Sequence, residues 1–139
     1  MDRTQILFPM IALATLTFAV LLLIPYRRFR AGFRGEVTGH DFKLGESQRV
    51  PESVQLPNRN MMNLLELPVL FYTVCLMYFV TDSVDDAALK IAWTYVGLRV
   101  AHSVVHVTYN KVNHRLIPFA LSNVALIVLW THFCRGLIQ

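Results

Sequence analysis

The sequence predicts an all-α integral membrane protein, folded as an up-and-down bundle of four transmembrane helices. Of the 139 residues, 55% are hydrophobic and 16% are charged, whereas a soluble domain has about 25% charged residues. The apolar residues form four stretches, each close to the ~20 residues that cross a bilayer core. A chain of this length is expected to form a single domain, residues 1–139.

The first helix is expected at residues 4–26. Its apolar run, residues 11–24, is interrupted only by two threonines, and Asp2 with Gln5 three positions later resembles a capping box. No small-residue cleavage site ends this run. We therefore expect a retained membrane span and not a cleaved signal peptide.

The next segment, residues 27–56, is predicted to be a basic and polar loop. Arg27, Arg28, Arg30 and Arg34 alternate with two phenylalanines, and the segment holds four glycines. Because it is too long for a simple connector, we expect it to be functional or partly disordered. Most of its arginines are expected to anchor at lipid headgroups, and one is a candidate ligand contact.

The remaining three helices are expected at residues 57–81, 86–109 and 116–134. Pro57 suits the first turn of a helix, whereas Pro68 is expected to kink the second helix in its middle. Cys75 and Cys134 fall inside apolar segments without CxxC spacing, so we expect both to be buried free thiols.

The charges of the connections predict the orientation in the membrane. The first loop and the link at residues 110–115 are basic, whereas the turn between the second and third helices is acidic. The positive-inside rule places the first and third loops in the cytoplasm and both termini outside. The net charge of +4 is therefore attributed to membrane orientation, and no nucleic-acid partner is expected.

Two helices carry polar side chains at helical spacing within apolar surroundings. They are Arg59, Asn63 and Glu66 in the second helix, and Arg99, His102 and His106 in the third. Ionisable groups inside a membrane are costly, so the two sets should face each other or a water-filled cavity. The spacing leaves two interpretations open: contacts to a ligand, or an interhelical clamp such as a Glu66–Arg99 pair.

Other polar residues extend this candidate site. His102 and His106 have the spacing of metal ligands, with Glu66 as a third, but no strong fourth ligand is evident, and we expect no metal. Arg115, just before the fourth helix, is either a membrane-surface anchor or a cation directed into the site. In the second case it would lower the pKa of a bound thiol.

These residues resemble the MAPEG family, the membrane-associated proteins in eicosanoid and glutathione metabolism. The similarity rests on the motif RxxxNxxE at residues 59–66, the sequence RVAH at residues 99–102, and Arg115 downstream. It covers nearly the whole chain. The sequence NLLELPVLFY at residues 63–72 is similar to bacterial members in particular.

The resemblance implies a homotrimer of four-helix subunits that binds glutathione, as co-substrate, between adjacent subunits on the cytoplasmic side. The implied glutathione contacts are Arg59, Asn63, Glu66, Arg99 and His102, and Arg115 is the implied thiol-activating residue. The implied function is a glutathione transferase or peroxidase acting on lipophilic electrophiles from the lipid, in a bacterial inner membrane. The alternative is a non-enzymatic scaffold of the same fold that binds a lipid or a partner protein.

The chain also departs from the family pattern. His106 stands where several family enzymes have a glutathione-contacting tyrosine, and Leu116 and Phe119 replace hydroxylated residues of the prostaglandin synthase branch. Leu67 follows Glu66 where a tyrosine is usual. These differences argue against eicosanoid chemistry and leave His106 and Tyr109 as substitute donors. The electrophile, the choice between conjugation and peroxide reduction, and which of Arg27, Arg28 and Arg30 reaches the site stay open.

Overall fold

A computed structural model describes residues 2–138 and shows an all-helical chain, which confirms the predicted all-α class. Two short 3-10 helices, Arg3–Ile6 and Gly39–Phe42, accompany five α-helices. These are α1 (Leu7–Phe33), α2 (Glu52–Leu65), α3 (Pro68–Val80), α4 (Asp86–Val107) and α5 (Val112–Ile138).

Three segments of the described chain are long and apolar enough to cross a membrane: Arg3–Phe33, Glu52–Val80 and Val112–Ile138. The second of these contains both α2 and α3. The fourth long helix, α4, is less apolar because it carries Asp86, Lys90 and Arg99. It packs most extensively against α5, and Arg99 is buried, whereas Asp86 and Lys90 are exposed near its start.

The first helix is longer than predicted. It continues past residue 26 to Phe33, so Arg27, Arg28 and Arg30 lie on α1 and not in a loop. The connection to α2 accordingly shrinks from the predicted residues 27–56 to residues 34–51. Long-range contacts hold the added turns in place, since Arg28 pairs with Glu46 at 3.1 Å.

Arg27 makes the contacts that explain where α2 begins. Its guanidinium donates to the backbone carbonyls of Ser53 and Val107, each at 2.6 Å. The carbonyl of Ser53 lacks its usual helical donor because residue 57 is a proline without an N–H. Arg27 supplies the missing hydrogen bond, and α2 therefore begins at Glu52, with Pro57 inside the helix and not in its first turn.

The loop at residues 34–51 is held by hydrogen bonds within itself. Asp41 accepts hydrogen bonds from the backbone N–H and the hydroxyl of Thr38, and from the hydroxyl of Ser47. Gly35 and Gly45 have φ of +71° and +98°, a conformation that glycine adopts without strain. A small apolar cluster lies beneath the loop, formed by Ala31, Val37, Val50 and Val54.

The second predicted helix is broken at the expected place. α2 ends at Leu65, Glu66 has a non-helical ψ of −93°, and α3 begins with Pro68. A proline cannot donate the hydrogen bond that would continue α2, so the break follows from the sequence. It leaves Glu66 at the end of α2.

The last two helices also differ from the predicted bounds. α4 ends at Val107, two residues earlier than expected, and Asn110 turns the chain with a φ of +49°. α5 extends beyond the predicted 116–134 at both ends, which places Arg115 in its first turn. The antiparallel packing of α4 and α5 therefore brings the end of α4 next to Arg115.

The apolar core lies among α1, α3, α4 and α5, where Phe71 stacks on Tyr95 with ring centroids 4.5 Å apart. Cys75 is a buried free thiol, as predicted. The predicted burial of Cys134 is wrong: its thiol is also free but exposed, because this position lies on the outer face of α5.

Candidate functional site

The turn between α4 and α5 brings two histidines together with Arg115. The Nδ1 of His102 donates to the backbone carbonyl of Arg115 at 2.9 Å, and the Nε2 of His106 lies 3.4 Å from the Nη1 of Arg115. Because a carbonyl only accepts and a guanidinium only donates, these contacts assign the ring protons. In the neutral rings, His102 keeps a free acceptor at Nε2 and His106 a free donor at Nδ1.

Asn110 holds the Arg115 side chain. Its Oδ1 accepts from the Nη1 of Arg115 at 2.6 Å, and its Nδ2 donates to the carboxylate of Glu52 at 3.0 Å. Its left-handed backbone suits asparagine better than most residues. Sequence reasoning missed this residue, although an asparagine in the short polar link before α5 was a visible signal.

A cavity of about 220 Å³ lies against these groups. It is lined by Asn63, His102, His106, Val112, Arg115, Leu116 and Phe119. Four of the predicted site residues thus meet at one place, and three helices contribute them. The volume is below the roughly 300 Å³ at which small-molecule sites usually begin.

Arg99 lies beside this cavity and is fully buried. Its Nε donates to the hydroxyl of Tyr95 at 3.1 Å, and its guanidinium lies over the ring of Phe119, 5.4 Å from the centroid. Neither Nη1 nor Nη2 has a hydrogen-bond partner within residues 2–138. The ion pair with Glu66 that the sequence left open does not form within one chain.

A second buried polar pair joins α2 to α4. The hydroxyl of Ser103 donates to the Oδ1 of Asn60 at 3.3 Å, and the Nδ2 of Asn60 has no partner in the described chain. The free ring nitrogens of His102 and His106 are equally buried and unpartnered. Such groups are uncommon in folded proteins, and their grouping here indicates a place for a ligand or a further chain.

Three predicted site residues lie outside the cavity. Arg59 is exposed and donates to the side chain of Gln55 at 3.1 Å. Glu66 is exposed and forms no ion pair with any described residue. Tyr109 is half-exposed, and its hydroxyl lies 3.3 Å from the Nδ1 of His114.

The three candidate arginines of α1 differ in what they contact. Arg27 and Arg28 are engaged with backbone carbonyls and with Glu46, respectively. Arg30 is exposed, and its side chain has no ion pair or hydrogen bond with the rest of the described chain. It is therefore the member of the three that remains available to another molecule.

The structure gives no support to the metal alternative. Within residues 2–138, no group of three or more histidine, cysteine, aspartate or glutamate side chains is arranged to hold a metal ion. His102 and His106 instead contact Arg115, through its backbone carbonyl and its guanidinium, respectively.

Comparison with known proteins gives one family. A family model described as the MAPEG family matches residues 6–134, nearly the whole chain. No curated protein and no solved structure gives a significant match. The family match confirms the resemblance that the motifs indicated.

Proposed function

Because the chain belongs to the MAPEG family, we propose that it is a membrane-bound glutathione transferase or peroxidase. Its substrates are lipophilic electrophiles that reach the site from the bilayer, and glutathione is the co-substrate. The family assignment and the apolar spans make it an integral membrane protein. The proposed membrane is a bacterial inner membrane, with the site, the loop at residues 34–51 and the turn between α4 and α5 on the cytoplasmic side.

The observation that carries this proposal is the buried, unneutralised guanidinium of Arg99. A buried charge costs several kcal/mol unless it is paired, and within the described chain no carboxylate pairs with Arg99. An anionic ligand that reaches Arg99 offsets this cost. Glutathione carries two carboxylates, and the amide of Asn60 and the ring N–H of His106 supply further donors for it.

Arg115 is proposed to activate the thiol. Its guanidinium lines the cavity, and a positive charge beside a bound thiol favours the thiolate. Each unit by which the pKa of the thiol falls corresponds to about 1.4 kcal/mol. The thiol proton leaves to solvent, and the thiolate attacks the electrophilic atom of the lipophilic substrate. A sulfur bond to that atom forms as the bond to its leaving group breaks.

A homotrimer accounts for the residues that one chain leaves outside the cavity. The 220 Å³ space holds only part of a tripeptide, so the remainder must lie against another surface. Arg59 and Glu66, on the stripe that also carries Asn63, are proposed to hold the outer part of glutathione. Arg30 of a neighbouring subunit is proposed to close the site, and Tyr109 is a further candidate donor at its edge.

Substitution of Arg115 by alanine tests the proposed chemistry. We expect Arg115→Ala to lose the ultraviolet difference absorbance of bound thiolate, because no other guanidinium lines the cavity. Arg135→Ala, near the other end of α5, is the matched control and should keep the signal. Size-exclusion chromatography in detergent should show the same assembly for both variants. A thiolate signal that persists in Arg115→Ala would remove Arg115 from the mechanism.

A non-enzymatic scaffold is the second candidate, favoured by the exposed positions of Arg59, Glu66 and Tyr109. In that case the polar stripes join subunits or hold a lipid headgroup. Millimolar glutathione should raise the unfolding temperature of the detergent-solubilised protein if the enzyme proposal is correct, and Glu66→Ala should abolish this rise. The absence of any shift in the unmodified protein would favour the scaffold.

A further inference from the structure

Three titratable side chains contact one another in series at the end of the bundle opposite the candidate site. The Nε2 of His132 in α5 lies 3.4 Å from the carboxylate of Asp85, and its Nδ1 lies 3.0 Å from the hydroxyl of Tyr78 in α3. Asp85 also caps α4 by accepting from the N–H of Ala88 at 2.7 Å. One imidazole therefore connects α3, α4 and α5.

The geometry accommodates both protonation states of this imidazole. Because the carboxylate only accepts, Nε2 carries a proton, and in the neutral ring Nδ1 accepts from the hydroxyl of Tyr78. The same hydroxyl lies 3.4 Å from the backbone carbonyl of Leu129. When Nδ1 gains a proton, it donates to the tyrosine oxygen, and the hydroxyl turns to that carbonyl. No polar group then loses its partner.

The three side chains are distant from the cavity that Arg115 lines, and two of them are partly exposed. The side chains of His132 and Asp85 are 36% and 51% exposed. From Asp85 to His102 the α4 helix rises about 25 Å, at ~1.5 Å for each residue. Because Asp85 lies in the turn between α3 and α4, outside the candidate spans, the pair is at the end of the bundle opposite the loop at residues 34–51.

Few other charges surround the imidazole. α3 contributes Tyr78, the start of α4 contributes Asp85, and α5 itself contributes Arg135, which lines the same surface groove as His132. Arg3 in the N-terminal 3-10 helix stacks on an aromatic ring of α3 instead. The carboxylate of Asp85 is thus the charged group that contacts His132 directly.

We propose that His132 is a proton-sensitive clamp that binds α5 more strongly to the α3–α4 turn when its imidazole becomes charged. Histidine is the side chain whose ordinary titration falls between about pH 5 and 8. Protonation converts the 3.4 Å contact between His132 and Asp85 into an ion pair. The partial exposure of the pair limits the gain, so the expected effect is a modest shift in stability.

The test compares unfolding temperatures of the purified full chain in detergent at about pH 5.5 and about pH 8. Asp85→Asn removes the charge but keeps a good helix cap, so the variant should fold. We expect it to unfold a few degrees below the unmodified protein at the lower pH, and with a smaller difference at the higher pH. When His132→Gln is also present, Asp85→Asn should change the unfolding temperature equally at both pH values.

Asp86→Asn is the matched control, because this neighbouring carboxylate forms no ion pair among the described residues. Its effect should be the same at both pH values. The proposal is overturned if Asp85→Asn lowers the unfolding temperature equally at both pH values, or if Asp86→Asn reproduces its pattern. Neither outcome depends on glutathione, so the proposed enzyme activity is tested separately.

Discussion

At Asn110 a left-handed backbone with φ of +49° coincides with two side-chain hydrogen bonds, one from Arg115 and one to Glu52. Arg115 has a long, flexible side chain, and its proposed role as a thiol-activating cation depends on where its guanidinium is held. The short contact to Asn110 fixes that position relative to the cavity. We therefore propose that Asn110 acts through Arg115 as a positioning residue.

Asn110→Gly separates the hydrogen bonds from the backbone conformation, because glycine adopts a positive φ without strain. A hydrogen bond involving a charged group contributes about 1.5–3 kcal/mol. If about half of that acts on the bound thiolate, the thiolate absorbance should appear about one pH unit higher than in the unmodified protein. Asn113→Ala, an exposed asparagine in the first turn of α5, is the control. An unshifted titration in Asn110→Gly would show that Asn110 does not position Arg115.

The interpretation of Arg99 shows what a single residue can and cannot reveal in sequence. Its place in an apolar helix marked it as costly and hence informative. Periodicity alone does not decide between a ligand and a Glu66 partner for Arg99, because the rotation of α2 relative to α4 is a tertiary property. The structure shows that the pair does not form within one chain and that the Nε of Arg99 donates to the hydroxyl of Tyr95 instead.

Among the secondary-structure elements, α1 and α2 differ most from prediction, and the reason is non-local. Arginines normally mark the end of a membrane span, so the sequence predicts that the loop begins at residue 27. Arg27 nevertheless continues the helix, because Ser53 and Val107 offer carbonyls that lack helical donors. Those partners are 26 and 80 residues away in the chain. The break before Pro68, by contrast, depends only on local chemistry and was predictable.

The loop at residues 34–51 makes a prediction of its own. Hydrogen bonds to the carboxylate lower the pKa of Asp41 from its ordinary 3.8 to about 2, chiefly the bond from the backbone N–H of Thr38, followed by those from the hydroxyls of Ser47 and Thr38. A lowered pKa means that these bonds stabilise the loop fully above about pH 4, and that this stabilisation is lost as the pH falls towards 2.

Asp41→Asn should therefore loosen the loop at neutral pH, because an amide has one oxygen acceptor where the carboxylate has two. We expect faster amide hydrogen exchange at residues 34–51 and little change in α3, α4 or α5. Glu36→Gln is the control, because this exposed side chain reaches Arg34 only at 4.0 Å. Equal exchange in Asp41→Asn and the unmodified protein would contradict the assigned role of Asp41.

For the molecule as a whole, the sequence predicted which helices carry the site but not its complete composition. Antiparallel packing of α4 and α5 brings His102 and His106 to Arg115, as the positions of these residues along their helices implied. Asn60 and Ser103 were missed because neither lies on the polar stripes that the spacing singled out. Helical periodicity alone does not predict which residues of α2 face away from the other helices.

A shared site makes a prediction about mixed assemblies. If Arg30 of one subunit completes the cavity that contains Arg115 of the next, then Arg30→Ala and Arg115→Ala should each inactivate the homotrimer. Co-expression of the two variants should restore part of the activity. Arg30 is suitable for this experiment because it is exposed and forms no ion pair with any residue from 2 to 138 of its own chain. Its substitution should therefore leave the subunit fold intact.

Random mixing sets the size of the recovery. In a cyclic trimer each interface joins one residue 30 to one residue 115 of the next subunit. An interface is intact only when an Arg115→Ala subunit, which supplies Arg30, is followed by an Arg30→Ala subunit, which supplies Arg115. Each choice has a probability of about one half, so about a quarter of the interfaces are intact. Glutathione-conjugating activity should thus return to about a quarter of normal in the co-expressed sample. Mixing separately purified homotrimers should restore none, because their subunits do not exchange. If co-expression also restores no activity, Arg30 and Arg115 act within one chain, and the cavity is completed by some other surface of the neighbouring subunit.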